Sequence, residues 1–371
     1  MRIALKELIR RPGRFVTATV ILTLIAILLM FLGGLLDGLI RASTGAVEAQ
    51  DADALVFSES SQASFLRSRI EPETRAAIEA ELDVDVGGLG VVLLGARVPG
   101  NGPRDLANVA VWGYELAPDG VPAPPPPGDA WADEMLKADG VEIGMELLVG
   151  PARTPVTVAG WVEDTSYSGQ AGLWTDVDTW RGVLNTNRPD AALADDVFQA
   201  LVVRSAGADL SPGDVPDAVE GLFDGEVIAL TVSEAIDEIP GVTAQQGTFN
   251  QILGVTVVIA FVVIALFFAL LTVERTALYG VLKAVGARSR TIFAGLVVQA
   301  VVVTMIAAAI AGFAVVVLDL LIPPGSIPLF VSAGRIVSSI VLLLAAAILG
   351  CAFSLRRVLN VDPASALGSS Q

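Results

Sequence analysis

The side chains that could do chemistry are few, and what is missing narrows the field. There is no histidine and one cysteine, Cys351. Ser-His-Asp and Cys-His catalysis need an imidazole, HExxH zinc sites need two, and an intrachain disulfide needs a second thiol. All three are excluded. Lys6, Lys137 and Lys283 are the only lysines, and each follows a leucine. A Walker A loop needs a Gly-Lys pair, so the chain is not a P-loop ATPase by itself. The carboxylates form no clustered acid–base constellation in the sequence. A formal charge of −17 argues against nucleic acid as a partner. What remains are groups that bind or dock rather than react.

The binding candidates sit at the edges of apolar runs. Asp37 lies in Gly33-Gly-Leu-Leu-Asp-Gly38, where it could meet a cationic part of a substrate or simply be a solvated boundary residue. Gly34 and Gly38 have the Gly-x-x-x-Gly spacing that allows close helix contact. Met30, Phe31 and Phe249 could line a pocket at the outer leaflet or face lipid. Asp319 and Arg335 flank a short connection and read as boundary residues, with a pair across that loop as the other reading.

These positions need membrane helices to hold them. Of the residues, 53% are hydrophobic and 17% charged, against about 25% charged in an average soluble domain. Segments 15–36, 252–273 and 292–318 carry no charge over 22, 22 and 27 residues, and 336–353 adds 18 more. A helix needs about 20 apolar residues to cross a bilayer core of about 30 Å. The expected fold is a membrane protein with four transmembrane α-helices, one before and three after a large extracytoplasmic mixed α/β domain. The spans are expected at 15–40, 251–273, 291–318 and 336–355. The first is expected to stay uncleaved, because a signal-peptide apolar core has about 7–15 residues and Ala52-Asp53-Ala54 lies too far downstream.

Charge sets the expected orientation. Segments 1–14, 274–290 and 356–371 hold 11 basic and 3 acidic groups, whereas 41–251 holds 11 basic and 35 acidic ones. The positive-inside rule puts both termini and 274–290 in the cytoplasm of a plasma-membrane protein, with 41–250 outside and 319–335 a short exterior loop. In the exterior segment, 54–57, 91–94, 109–112, 198–203 and 227–232 read as strands. Residues 146–149 and 156–162 read as a hairpin around Pro151-Ala-Arg153, and 71–82 as a helix with Pro72 in its first turn. Four prolines at 124–127 mark an extended loop. Ser233 is the expected cap of a helix over 234–239, ended by Pro240-Gly241.

Two cytoplasmic stretches are amphipathic. In 1–11, Ile3, Leu5, Leu8 and Ile9 can oppose Arg2, Lys6 and Arg10, as in an interfacial helix on membrane lipid or a merely topology-setting leader. In 274–290, Leu278, Val281, Leu282 and Val285 recur at i, i+3, i+4 and i+7, and Gly286 is a natural stop. So short a stripe wants a partner groove, or else packs under its own membrane helices.

Here the residues resemble a family. The basic leader with Lys6-Glu7-Leu8, the stretch Glu274…Gly280-Val-Leu-Lys-Ala-Val-Gly-Ala287, and the tail Arg357-Val-Leu-Asn-Val-Asp-Pro-Ala-Ser-Ala-Leu367 together resemble the FtsX/MacB-type permeases of ABC transporters. Leu5-Lys-Glu-Leu8, Arg14-Phe15 and Phe31-Leu-Gly-Gly-Leu-Leu-Asp-Gly-Leu39 are most similar to its DevC/HrtB-like branch. The resemblance implies a homodimer paired with a separately encoded ABC ATPase that binds ATP and Mg²⁺. It also implies that Glu274, Arg275, Leu278, Gly280, Val281, Leu282, Lys283 and Gly286 couple to that ATPase, and that a hydrophobic or amphiphilic compound is exported or extracted by mechanotransmission. Haem is one such cargo. The family's Tyr-x-His-like patch corresponds to Tyr167-Ser-Gly-Gln-Ala-Gly-Leu-Trp174, which lacks the histidine; Tyr or Met can also hold haem iron. The competing expectation is a non-transporting FtsX-like mechanotransmitter that activates an extracellular cell-wall hydrolase.

Overall fold

The computed structural model describes residues 12–102, 104–205, 210–273, 289–322 and 326–359. The chain forms two compact units, one of 1–38, 247–322 and 329–371, the other of 39–246 and 323–328. Four helices are long and apolar enough to cross a membrane: α1 (Pro12–Glu48), α6 (Val242–Val273), α7 (Ser289–Leu321) and α8 (Ala333–Leu359). Each runs past its uncharged stretch, because helix continuity needs only that backbone groups stay paired, not that side chains stay apolar. One helix, α1, continues from the first unit into the second without a break.

The four-helix unit packs through small side chains. Ala26, Ala260, Ala300, Ala307, Ala311 and Ala347 are buried, interleaved with Leu22, Leu29, Met30 and Leu343. In lipid there is no hydrophobic gain from helix association, so close van der Waals approach must hold the bundle. A Cβ on Gly350 would sit 3.1 Å from the Ala265 nitrogen, which marks where α6 and α8 approach backbone to backbone. Val16, Val20, Leu24 and Leu28 form an exposed stripe on α1.

The other unit is built on one nine-stranded sheet. Its strands are β1 (Ala54–Ser58), β2 (Val84–Arg97), β3 (Leu106–Tyr114), β4 (Asp129–Asp133), β5 (Glu146–Val149), β6 (Thr154–Val162), β7 (Ala171–Thr175), β8 (Ala200–Ser205) and β9 (Val227–Leu230). Their order is β3-β7-β4-β6-β5-β2-β8-β1-β9, and β2 also pairs with β3, so six strands close into a ring. The 14-residue β2 makes this possible: one edge serves β3, the other serves β8 at its start and β5 at its end. Helices α2 (Pro72–Glu81), α3 (Val177–Asn187), α4 (Val215–Glu220) and α5 (Val232–Asp237) complete it.

Both sheet faces are covered. Along β1, Ala54 and Val56 enter one core while Leu55 and Phe57 enter the other. The period-2 alternation therefore divides two interiors, which is why these strands read as continuous apolar runs. The strands at 91–94 and 109–112 and the 146–162 hairpin lie where expected, although β2 and β3 are longer than their apolar signals. Strands β4 and β7 and helices α3 and α4 had no clear signal, being short and rich in Asp, Gly or Trp. One cap expectation is corrected. Thr231, not Ser233, caps α5: Glu234 N donates to Thr231 Oγ1 at 3.3 Å, and Thr231 N donates to the Glu234 carboxylate at 2.9 Å. This reciprocal box leaves Ser233 inside the first turn.

Trp180 on α3 is fully buried and lies on two glycines. A Cβ on Gly90 would come within 1.9 Å of its ring, and one on Gly113 within 2.6 Å of its Cβ. Burying an indole is worth about 4–6 kcal/mol by area. Gly90→Ala is expected to lower stability by about 1–3 kcal/mol through overpacking. Gly182→Ala, in the exposed interior of α3 with nothing within 4 Å, should instead raise it by about 0.5–1 kcal/mol. Urea midpoints of the purified chain followed by tryptophan fluorescence measure both, since all five tryptophans lie in this unit.

Candidate functional site

Within the four-helix unit, two charged groups sit at the ends of apolar runs, Asp37 on α1 and Arg335 on α8. They pair with one another, with Arg335 Nε donating to Asp37 Oδ2 at 2.8 Å and Nη2 donating to Oδ1. Both side chains are about a quarter exposed. This fork-on-carboxylate arrangement is the strong form of an ion pair. The local sequence explains it. The arginine stem lies against Gly33, where a Cβ would approach within 2.6 Å, and the 329–331 strand of chain lies against Gly34. Phe330 N donates to the Gly34 carbonyl at 3.0 Å, and the Ser332 hydroxyl accepts from Arg335 N at 3.0 Å, capping α8. The expected alternatives for Asp37 were a substrate cation or solvent, and for Arg335 a boundary role or Asp319. The structure instead joins Asp37 to Arg335, because the two adjacent glycines leave room for the α8 start to reach α1. The close approach uses Gly33 and Gly34 rather than the spacing of Gly34 and Gly38.

The other binding candidates are dispersed. Met30 is buried in the bundle core with Leu29, Ala311 and Val315. Phe31 and Phe249 are half-buried on α1 and α6. Tyr167 belongs to the other unit, buried in an aromatic cluster, its ring centroid 5.2 Å from Trp112 and 5.9 Å from Phe65. Burial pushes its phenol up to about 12. The coupling candidates Glu274, Arg275, Leu278, Gly280, Val281, Leu282, Lys283 and Gly286 lie outside the described residues, as do 1–11 and the closing 360–371 motif. Among the described residues no group of three or more His, Cys, Asp or Glu is placed to hold a metal ion.

Two features escaped sequence reasoning. One is a shallow, partly open apolar crevice between α1 and α6, lined by Ala18, Ile21, Leu22, Val263, Ile264 and Phe267. No residue type marks it, since apolar side chains there are indistinguishable from lipid-facing ones. The other is Asp133, buried at the end of β4. Its carboxylate accepts from Thr165 N at 2.8 Å, Thr165 Oγ1 at 2.9 Å, Ser166 Oγ at 3.3 Å and Met135 N at 2.9 Å. Desolvation pushes its pKa above the ordinary 3.8, against the pull of those hydrogen bonds.

The segment 250–363 matches the family model for the FtsX-like permease C-terminal domain. Over its whole length the chain is 20% identical to a putative hemin transport system permease protein HrtB of Staphylococcus haemolyticus, which it also covers completely. It is 27% identical, over 98% of each chain, to an uncharacterized ABC transporter permease of Mycobacterium tuberculosis. A solved structure of the periplasmic region of MacB from Actinobacillus actinomycetemcomitans aligns over 51% of this chain and 92% of its own, at 12% identity and a TM-score of 0.34. The segment 250–363 thus carries an FtsX-like permease C-terminal domain, and the whole chain, with four apolar helices among the described residues, one before and three after an α/β unit, is similar in sequence to ABC transporter permeases.

Removing one partner of the Asp37–Arg335 pair strands the other charge. Asp37→Asn or Arg335→Leu is expected to destabilise the chain by about 2 kcal/mol, less than a fully buried pair because both groups keep some solvent. The exchange Asp37→Arg with Arg335→Asp should recover part of the loss, measured as thermal midpoints in detergent. Asp133 has a pH signature. A carboxyl whose folded pKa is raised binds its proton more readily folded than unfolded, so its stabilising contribution is complete at low pH. That contribution is lost as pH rises from about 3.8 through the raised value. The stability gap between wild type and Asp133→Asn should therefore shift against wild type across that window and level off above it. A gap that does not change with pH refutes the assignment.

Proposed function

We propose that this permease couples ATP hydrolysis by a separate ATPase subunit to export, or extraction from the outer leaflet, of a hydrophobic or amphiphilic compound. The observation that carries this reading is α1. It begins in an apolar span and ends as part of the core of the α/β unit, with Ala46 and Val47 buried among Phe57, Trp112 and Trp174. A motor acting on the helix bundle thus has a continuous rod to act through, and an α-helix of 37 residues is stiff along its axis. The sequence supports the rest. Basic segments at 1–14, 274–290 and 356–371 favour a cytoplasmic side for both termini and the 274–290 stripe, in a plasma membrane with the α/β unit outside. Leu278, Val281, Leu282 and Val285 would fill a groove on the ATPase, whose bound ATP and Mg²⁺ supply the work. A homodimer completes the assembly.

Hemin is the first cargo to test, because relatives aligned over the whole chain are named for hemin transport. No role for Tyr167 as an iron ligand is needed, its ring being inside the aromatic cluster. The crevice lined by Ile21, Leu22, Ile264 and Phe267 is apolar, as a surface meeting an acyl chain would be. The test is co-expression with a separately encoded ABC ATPase from the same genome. The wild-type chain is expected to capture the ATPase in detergent and to support ATP hydrolysis. Leu282→Glu should insert normally yet lose both capture and hydrolysis. If Leu282→Glu retains both, docking through this stripe is wrong.

A further inference from the structure

The geometry points to residues 164–169 as the joint that makes the end of α1 a rigid part of the α/β unit, with Gly45 and Asp133 as positioning residues on its two sides. This rests on the mechanotransmission reading above and names where force would cross from helix to sheet. All of these residues lie within the unit of 39–246.

On the helix side, the loop enters the hydrogen-bond ladder of α1. An α-helix pairs the N–H of residue 46 with the carbonyl of residue 42. Here Ala46 N donates to the Ser166 carbonyl at 2.9 Å, and the Ala42 carbonyl accepts from Gly169 N at 2.9 Å. The neighbouring Ser43 carbonyl accepts from Ser168 N at 3.0 Å. Arg41 Nη1 donates to Asp164 Oδ2 at 2.5 Å. This contact requires Gly45, since a Cβ there would lie 2.4 Å from the Asp164 carbonyl oxygen and 3.1 Å from its carbon. Backbone, unlike a side-chain tip, cannot swing aside.

On the sheet side the same loop is held by Asp133, which accepts from Thr165 N, Thr165 Oγ1 and Ser166 Oγ. Tyr167 fixes the next residue in the aromatic cluster. The turn closes on itself through Tyr167 N to the Gln170 carbonyl and Gln170 N to the Tyr167 carbonyl, both at 2.9 Å. Asp164 and Ser168 hold left-handed φ of 56° and 51°, a backbone state that non-glycine residues keep only where their surroundings enforce it. Two left-handed residues and three backbone hydrogen bonds to a helix in one six-residue loop, itself held by a buried carboxylate on β4, describe a fastening rather than a connection.

The test uses the full chain with its ATPase in nanodiscs, with Cys351 replaced by serine. Spin labels go on the exposed positions Ile143 and Leu266 as cysteines, and the label-to-label distance distribution is read without nucleotide and in the vanadate-trapped state. Wild type should change its distribution on trapping. Gly45→Ala should keep basal ATP hydrolysis within twofold but lose most of that change. A second pair of samples, read by hydrogen exchange because it uses the thiols, bridges Ser43→Cys to Ser168→Cys with a short thiol cross-linker. Bridging should leave ATP hydrolysis and the trapping-dependent exchange pattern of the α/β unit unchanged, since a joint that stays closed loses nothing by being locked. If wild type changes and Gly45→Ala changes equally, or if the cross-link abolishes hydrolysis, the joint is overturned and the proposed function stands. If wild type itself shows no change on trapping, the mechanotransmission reading falls, and the joint with it.

Discussion

A helix in a bilayer has to satisfy every backbone polar group within itself, because hydrocarbon offers no partner. Once clear of the hydrocarbon it can turn those groups outward. Both conditions meet in α1. Through most of its apolar run the helix is held by side-chain packing, small residues interleaved with larger ones. At residues 42–46 its N–H and carbonyl groups bond instead to the 164–169 loop. The same rod is thereby a membrane span and a structural member of a water-exposed domain. Most of the remaining architecture serves to hold that second end still.

Glycine does much of that holding, by omission. Gly33 and Gly34 admit Arg335 and the 329–331 segment, Gly45 admits the Asp164 carbonyl, and Gly90 and Gly113 admit the Trp180 ring. At each place the energy comes from what moves in: an ion pair, a backbone hydrogen bond, an indole. The glycine supplies only distance. That makes these sites intolerant of even one methyl group, in contrast to Gly182, which meets nothing. It also explains how polar groups survive near lipid. Asp37 and Arg335 neutralise each other only because Gly33 lets the guanidinium stem lie flat along α1.

The division of labour in an ABC transporter suits this chain's composition. It has no Walker lysine and no imidazole, and the buried Asp133 carboxylate of the α/β unit is engaged by Thr165, Ser166 and Met135. Asp133, whose carboxyl burial pushes above the ordinary range, points into a loop rather than a cleft. Tyr114 and Tyr167 are likewise core members, the first donating to the Pro122 carbonyl at 2.6 Å.

The amino-acid order alone determined the four apolar spans, the acidic domain between the first two and the lack of a Walker A motif, and it carried the resemblance to ABC permeases. These are carried by quantities local to the chain: runs of uncharged residues, the sign of flanking charges, short motifs. Strands at 54–57 and 109–112 and the hairpin at 146–162 were legible for the same reason, as a short apolar run bounded by turn residues is local. Tertiary structure decided the pairing of Asp37 with Arg335, 298 positions apart, the closure of β2 on β3 into a ring, and the seat of Tyr167 inside the core. It also decided that Asp133 and Gly45 grip one loop from opposite sides. Each of these depends on which distant backbones come within a few ångströms. A glycine or an aspartate looks the same in sequence whether or not a neighbour arrives, so only the folded chain could distinguish them.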